Sequence, residues 1–300
     1  MEQYSEVPQP PKNPKSLIKP PKPKPFLEVR VELLDQLPSL LGLCAGYEKG
    51  KWRSSMLARY LINNLIQFAF PMDEWDKATS ATGAEMLRRA ALTIYQTDKF
   101  ENRGELGEIL LFAIMRTHYD SLPLVSKFYF KSSANDTVKG FDAVHIVAGN
   151  TGLELWLGES KFHTSIDTAI HQTLKDLENH LDENYIKNEF MWVEHKTNDN
   201  FPDIDKIRQL LDDATSLDQI FPIIHVPILL TYDSPTVAAH SIVNEAYKAS
   251  ITEELKKHFG NFCSKNLPNH VSLHVMLIPL HSKLELAQEF DKKLKAIQDF

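Results

Sequence analysis

The stretch GFDAVHIVAGNTGLELWLGESKFH, residues 140–163, decides how the chain folds. Its first half, GFDAVHIVA (140–148), is a β-branched and aromatic run, and its second half is LELWLGESKFH (153–163). Between them, Gly149-Asn150 and Thr151-Gly152 are a turn signal, so an antiparallel hairpin is expected. Alternate residues of a strand share a face. Glu159, Lys161 and His163 therefore point one way, and Ser160 and Phe162 the other. With the turn at 149–152, Asp142 falls near residues 159 and 160 on the neighbouring strand. Two carboxylates and an amine thus converge at one end of a hairpin that is otherwise building core.

Outward from the hairpin, the periodicity alternates between the two regular structures. FLEVRVEL (26–33) alternates as a strand does. Helical spacing follows in residues 51–70, 84–97 and 103–119, the last with a strong apolar face. SKFYFKSS (126–133) reads as a strand, followed by the loop ANDTVK. Beyond the hairpin, an amphipathic helix is expected over about 164–185 and a strand over FMWVEHK (190–196). Then come a helix at 203–217, the continuously apolar strand IIHVPILLTYD (223–233), a helix at about 237–259, a strand at 271–281 and a closing helix at 283–298. This order predicts an α/β fold with a mixed central sheet flanked by helices. The division expected is a Pro/Lys-rich extended tail over 1–25, a mainly helical portion over 26–100 and an α/β body over 101–300, or one continuous domain over 26–300.

Composition narrows the function. The 300 residues are 43% hydrophobic and 24% charged, ordinary for a soluble globular protein. A net charge of −7 does not advertise nucleic acid, so any basic groove must be local or supplied by a partner. The lysine-rich tail and Lys51, Arg53, Arg59, Arg88 and Arg89 are the candidates for a surface that docks DNA or a partner. Cys44 and Cys263 stand alone, which argues for a reducing compartment and against a cysteine-rich zinc site. No signal-peptide pattern and no membrane-spanning window are seen, so a cytoplasmic protein with no membrane partner is expected. There is no G-x-S-x-G elbow and no phosphate-binding P-loop. His118, His171 and His180 make no zinc pattern, and His145 has the wrong parity to face Asp142.

The acid–amine cluster has a chemical use. Carboxylates a few ångströms apart stay ionised only with positive charge between them. Mg²⁺ or Mn²⁺ supplies it, prefers oxygen ligands and activates water against a phosphodiester. Asp142, a hairpin, then Glu159-Ser160-Lys161 resembles the D…(D/E)-x-K signature of the restriction-endonuclease-like nuclease superfamily, which places it on the second and third strands of a core opened by a helix. That resemblance implies a restriction-endonuclease-like mixed sheet and a glutamate on the preceding helix, Glu108, with Glu105 as the alternate. It also implies a glutamine on the following helix, Gln172. RGELGEILL, KGFDAVHI and LWLGESKFH, in that order, further resemble the nuclease subunit of the Hachiman anti-phage defence system. This implies a Mg²⁺- or Mn²⁺-dependent deoxyribonuclease coupled to a superfamily 2 helicase.

The roles expected are then as follows. Glu108, Asp142, Glu159 and the Ser160 carbonyl hold metal. Lys161 orients the attacking water and stabilises the developing charge, and Gln172 assists that geometry. His163 lies at the rim as a further candidate. Two other functions compete: a catalytically inactive nuclease-like subunit that only binds or regulates a helicase, and a stand-alone restriction or repair nuclease. Taken singly, Glu159 and Lys161 are also what a solvent-facing strand-end pair looks like, and Glu105 and Glu108 suit a helix N-terminus.

Overall fold

The computed structural model describes residues 24–95, 104–126, 140–149, 152–199, 201–212 and 214–300. The chain opens with β1 (Glu28–Leu33) and β2 (Ser39–Cys44), followed by a small hairpin of β3 (Tyr47–Glu48) and β4 (Lys51–Trp52). Helices α1 (Ser54–Asn63), α2 (Leu65–Ala69), α3 (Gly83–Ile94) and α4 (Glu105–His118) come next, then β5 (Leu122–Val125), β6 (Ala143–Gly149) and β7 (Gly152–Phe162). After α5 (Ile166–His180), α6 (Glu183–Lys196), α7 (Ile204–Leu211) and α8 (Leu217–Ile220), strand β8 (Ile224–Asp233) returns to the sheet. Helices α9 (Pro235–Ala239) and α10 (Glu245–Cys263), strand β9 (Ser272–Leu280) and α11 (Lys283–Gln298) complete the chain.

The main sheet has seven strands in the order β1-β2-β9-β8-β7-β6-β5. It is mixed. Strands β2, β9, β8 and β7 run parallel, and the pairs at either end are antiparallel. The parallel strands are apolar almost without a break, and every residue of β2 is buried. Such runs need helices on both faces, because each side chain that leaves one face is replaced by its neighbour on the other. Helix α4 covers one face, where Leu111 meets Gly158; α1 joins that layer through the Tyr60 hydroxyl, which donates to the Ala113 carbonyl at 3.4 Å, and is tied to α11 by a Ser54–Glu285 hydrogen bond of 2.7 Å. Helices α5 and α10 cover the other face, tied to each other by Asn261 and Asp167 at 3.0 Å.

Several sequence expectations need correction. FMWVEHK is the second half of α6, not a strand. Ile186, Phe190 and Val193 recur at helical spacing and are buried, a stripe that a window starting at 190 cuts off. The helix expected over 164–185 is two. Leu181 ends α5, and Asp182 caps α6 by accepting from the N–H groups of Asn184 and Tyr185 at 3.0 and 3.2 Å. The N-terminal portion carries β2, which joins β1 to the same sheet through β9 and was not foreseen. The helix expected over 203–217 is shorter, α7 ending at Leu211 and α8 starting only at Leu217, and the one expected over about 237–259 is divided into α9 and α10. Most of the strand expected over 126–133, the loop 134–139, the Asn150-Thr151 turn tip and the tail up to residue 23 lie outside the described residues.

Candidate active site

Strands β6 and β7 pair antiparallel from Gly149↔Gly152 down to Ala143↔Gly158. Asp142 extends this ladder by one rung, its N–H donating to the Gly158 carbonyl at 2.8 Å. Its Oδ2 accepts from both the N–H and the Oγ of Ser160, at 2.8 and 2.9 Å. Asp142 is thereby fixed to the residue between Glu159 and Lys161. The approach to it is set two residues earlier. Gly140 has φ +109°, a region that side chains disfavour, and a Cβ there would collide with the carboxylate of Glu189. That carboxylate, on α6, accepts the Phe141 N–H at 3.3 Å.

Glu159 and Lys161 leave β7 on the α5 side. Glu159 is only 2% exposed. Its Oε1 bonds His180 Nδ1, and its Oε2 accepts from Lys161 Nζ at 3.3 Å. Lys161 Nζ also pairs with Asp176 Oδ2 at 2.8 Å. Burial opposes the charge on Lys161, yet Glu159, Asp176 and Asp142 outweigh it and hold the amine above its ordinary pKa. The same contest raises His180, where burial is overcome by Glu159 and Asp176. The hydroxyl of Tyr185 is pushed up to about 12, first by burial and then by Glu189, Glu159, Asp142 and Asp176. The site is therefore an acidic field in which Lys161 supplies balancing charge and His180 is driven toward its protonated form.

The opposite face of β7 meets α4. A Cβ on Gly107 would lie 3.2 Å from Ser160 Oγ and from Phe162 Cβ, so glycine permits this close approach. Glu108 is one residue and about 100° further round the helix, on the flank of that contact and half-buried. Glu105 stands about 200° round the helix from Gly107 and is buried. Gln172 is exposed on α5 and bonds His163, whose pKa is lowered by burial and by Lys283 and Lys161 despite that bond. These two form the rim, one turn of α5 away from Asp176. His145 faces the α4 layer, buried against Phe112 and bonded to Ser121 at 2.8 Å.

The sequence pattern of the HamA family matches residues 23–294. The chain belongs to the HamA family. It is also similar to anti-bacteriophage protein A of Escherichia coli (strain K12), with 23% identity over 207 residues, 64% of this chain and 36% of that protein. The matched part is thus about a third of that relative's length.

The expected donors, Asp142, Glu159, Glu108 and the Ser160 carbonyl, are all oxygen, which suits a hard divalent cation by type, but Glu108 lies on the α4 side of β7 and Glu159 on the α5 side. Among the described residues, no three His, Cys, Asp or Glu side chains are gathered as ligands around one point. Instead Lys161 supplies the positive charge that a cation would share with Glu159 and Asp176. The chemistry of the donors fits the metal, in an arrangement that protein cations neutralise. Sequence reasoning missed Asp176, His180 and Tyr185. A signal existed: residues 172, 176 and 180 follow one another at i, i+4 on the helix after the lysine, so they share a stripe.

A second polar cluster lies at the other end of β7. Ser39 Oγ bonds His274 Nδ1 at 2.9 Å, and His274 Nε2 bonds His225 Nδ1 at 2.8 Å. His225 Nε2 stands 3.7 Å from Glu154, and Trp156 stacks over both imidazoles. The order Ser–His–His–Glu resembles an extended triad. Ser39 is 1% exposed, however, and no substrate reaches its hydroxyl. The chain of bonds links four adjacent strands and acts as a polar clasp in the core.

Proposed function

We propose that this chain is a metal-dependent deoxyribonuclease acting in anti-phage defence. One observation carries this reading: a buried Glu159 paired with Lys161 at 3.3 Å, with Asp142 pinned to the residue between them. A strand-end pair in solvent needs no such burial and no second carboxylate. The defence role is supported by the HamA family match and by the printed name of the E. coli relative. The proposed partners are DNA and a superfamily 2 helicase.

Glu108, Asp142, Glu159 and the Ser160 carbonyl are the residues that would hold Mg²⁺ or Mn²⁺. When bound, the cation supplies an acidified water and neutralises phosphate charge. Lys161 Nζ has three protons to donate, and one of them, aimed at a phosphate oxygen, stabilises charge that grows in the transition state. Ser160 keeps Asp142 oriented through two hydrogen bonds. Gln172 and His163 line the rim through which substrate approaches.

Plasmid cleavage with Mn²⁺ or Mg²⁺, by the chain alone and with its helicase, tests the proposal. Cutting by the wild type that is lost in Lys161→Ala and Glu159→Ala supports it. Equal behaviour of all three proteins refutes it. A second reading, a scaffold that only binds a helicase, draws support from the internal pairing of Glu159 with Lys161 and its hydrogen bond with His180. Under that reading none of the proteins cuts, and all of them bind the partner alike.

A further inference from the structure

We propose that His180 is a positioning residue for Glu159, holding one carboxylate oxygen so that the other is presented to the metal and to Lys161. The proposal rests on the nuclease reading of the site and deepens it. Glu159 has two oxygens with different partners. Oε1 meets His180 Nδ1, and Oε2 meets Lys161 at 3.3 Å. A free carboxylate rotates about its last torsion, which has broad minima. A donor fixed on Oε1 removes that freedom and aims Oε2.

His180 is itself held in place. Its ring stacks on Tyr185 with centroids 4.6 Å apart and planes 20° from parallel, and the edge of Phe141 packs against it at 5.2 Å. Tyr185 sits in the first turn of α6, where its N–H bonds the capping carboxylate of Asp182 at 3.2 Å. Phe141 is the residue immediately before Asp142 and is fully buried. The break between α5 and α6 thus builds a slot of two aromatic rings for one imidazole. The imidazole touches the carboxylate beside Lys161, and the slot wall is continuous with the backbone that carries Asp142. A merely space-filling ring would not need a nitrogen aimed at Glu159. The role needs only an N–H at Nδ1, which both the neutral Nδ1–H tautomer and the imidazolium offer.

Carboxylates that bind metal are oriented by such hydrogen bonds, and losing one costs roughly 10–100-fold in metal affinity. The test uses the full-length chain with His180→Ala, which removes the donor, and His180→Asn, whose Nδ2 reproduces Nδ1. Mn²⁺ affinity is measured by calorimetry, DNA cleavage by single-turnover assay, and folding by thermal melting. The expected result is a loss of roughly 10–100-fold in Mn²⁺ affinity for His180→Ala, with most of it restored in His180→Asn at an unchanged melting temperature. A folded His180→Asn as defective as His180→Ala overturns the proposal, as does a His180→Ala protein that binds Mn²⁺ like wild type. If the wild type neither binds Mn²⁺ nor cuts DNA, the nuclease reading fails and the positioning role falls with it. If wild-type cutting depends on Lys161 while the two His180 variants behave alike, the positioning role alone fails.

Discussion

Replacing Lys161 by methionine keeps the length of the side chain and removes its charge. Glu159, 2% exposed, then keeps His180 as its one side-chain partner among the described residues, and Asp176 loses the contact at 2.8 Å. Breaking a buried ion pair from one side costs about 3–5 kcal/mol, because the remaining charge stays desolvated. Asp176 is 35% exposed and turns to solvent, so the low end applies, about 3 kcal/mol. At roughly 2–4 °C per kcal/mol, the melting temperature of Lys161→Met falls by roughly 6–12 °C. If the site takes a cation, Mn²⁺ restores the missing charge. At about 100 times its dissociation constant a ligand adds about 2.7 kcal/mol, which returns most of the loss. In the wild type the Lys161 ammonium already offsets the Glu159 charge, so the gain from a cation is smaller. Melting curves of both proteins, with and without Mn²⁺, are the assay. A variant that melts within about 2 °C of wild type, or Mn²⁺ shifts of equal size in both, refutes the claim that Lys161 neutralises a buried cation pocket.

Other predictions follow from packing and from the histidines. Gly158→Ala puts a methyl 2.8 Å from Leu111 Cδ2 and 3.0 Å from Ala143 Cβ, so α4 and β6 must give way. The expected loss is about 1–3 kcal/mol by urea unfolding, and a neutral result contradicts the close packing of α4 on β7. Asp182→Ala removes the cap of α6, at a cost of about 1 kcal/mol, and loosens the Tyr185 stack on His180; an unchanged unfolding midpoint contradicts this. His145 is held at about 3 by burial and Arg116, and His274 at about 3 by burial and His225, both below the unfolded value near 6.5. The unfolded chain takes these protons first, so the stability they contribute is whole above about pH 6.5 and is lost as pH falls toward 3. Each contributes a slope of about 1.4 kcal/mol per pH unit, and His274→Asn should flatten stability between pH 6 and 4; an identical slope refutes the assignment.

The hairpin was legible because three independent signals agreed: the turn glycines, the β-branched runs and the parity that sends Glu159 and Lys161 to one side. Register then placed Asp142 within one residue of where the Ser160 hydrogen bonds hold it. The parallel strands β8 and β9 were legible for the same reason, since runs buried on both faces have few other readings. The failures are of two kinds. FMWVEHK looked like a strand because local propensity cannot see that Ile186 completes a helical stripe. β2 escaped because SLLGLC is short and its parallel partner, β9, lies more than two hundred residues away in sequence. The α5 residues of the site were missed for a tertiary reason. Asp176 and His180 have ordinary helix-surface spacing, and only the packing of α5 across β7 turns that stripe toward Glu159.

Charge decides what the site still needs from outside. A phosphodiester that reaches Glu159 enters a field set by Asp142, Glu159, Asp176 and Glu189, against Lys161 and His180. Three of the basic candidates on the N-terminal side are engaged within the protein. Arg53 lies 4.4 Å from the Phe26 ring centre and donates to the Ala45 carbonyl at 3.2 Å. Arg89 lies over Phe70, and Arg88 pairs with Glu85. Nucleic-acid affinity at physiological salt comes chiefly from phosphates neutralised by Lys and Arg. With a net charge of −7 and Arg53, Arg88 and Arg89 committed, fewer cations among the described residues are left for the backbone of DNA. The proposed division of labour fits that balance: a separate chain grips the duplex, and this one contributes an acidic site in which Lys161 offsets part of the carboxylate charge until substrate is delivered.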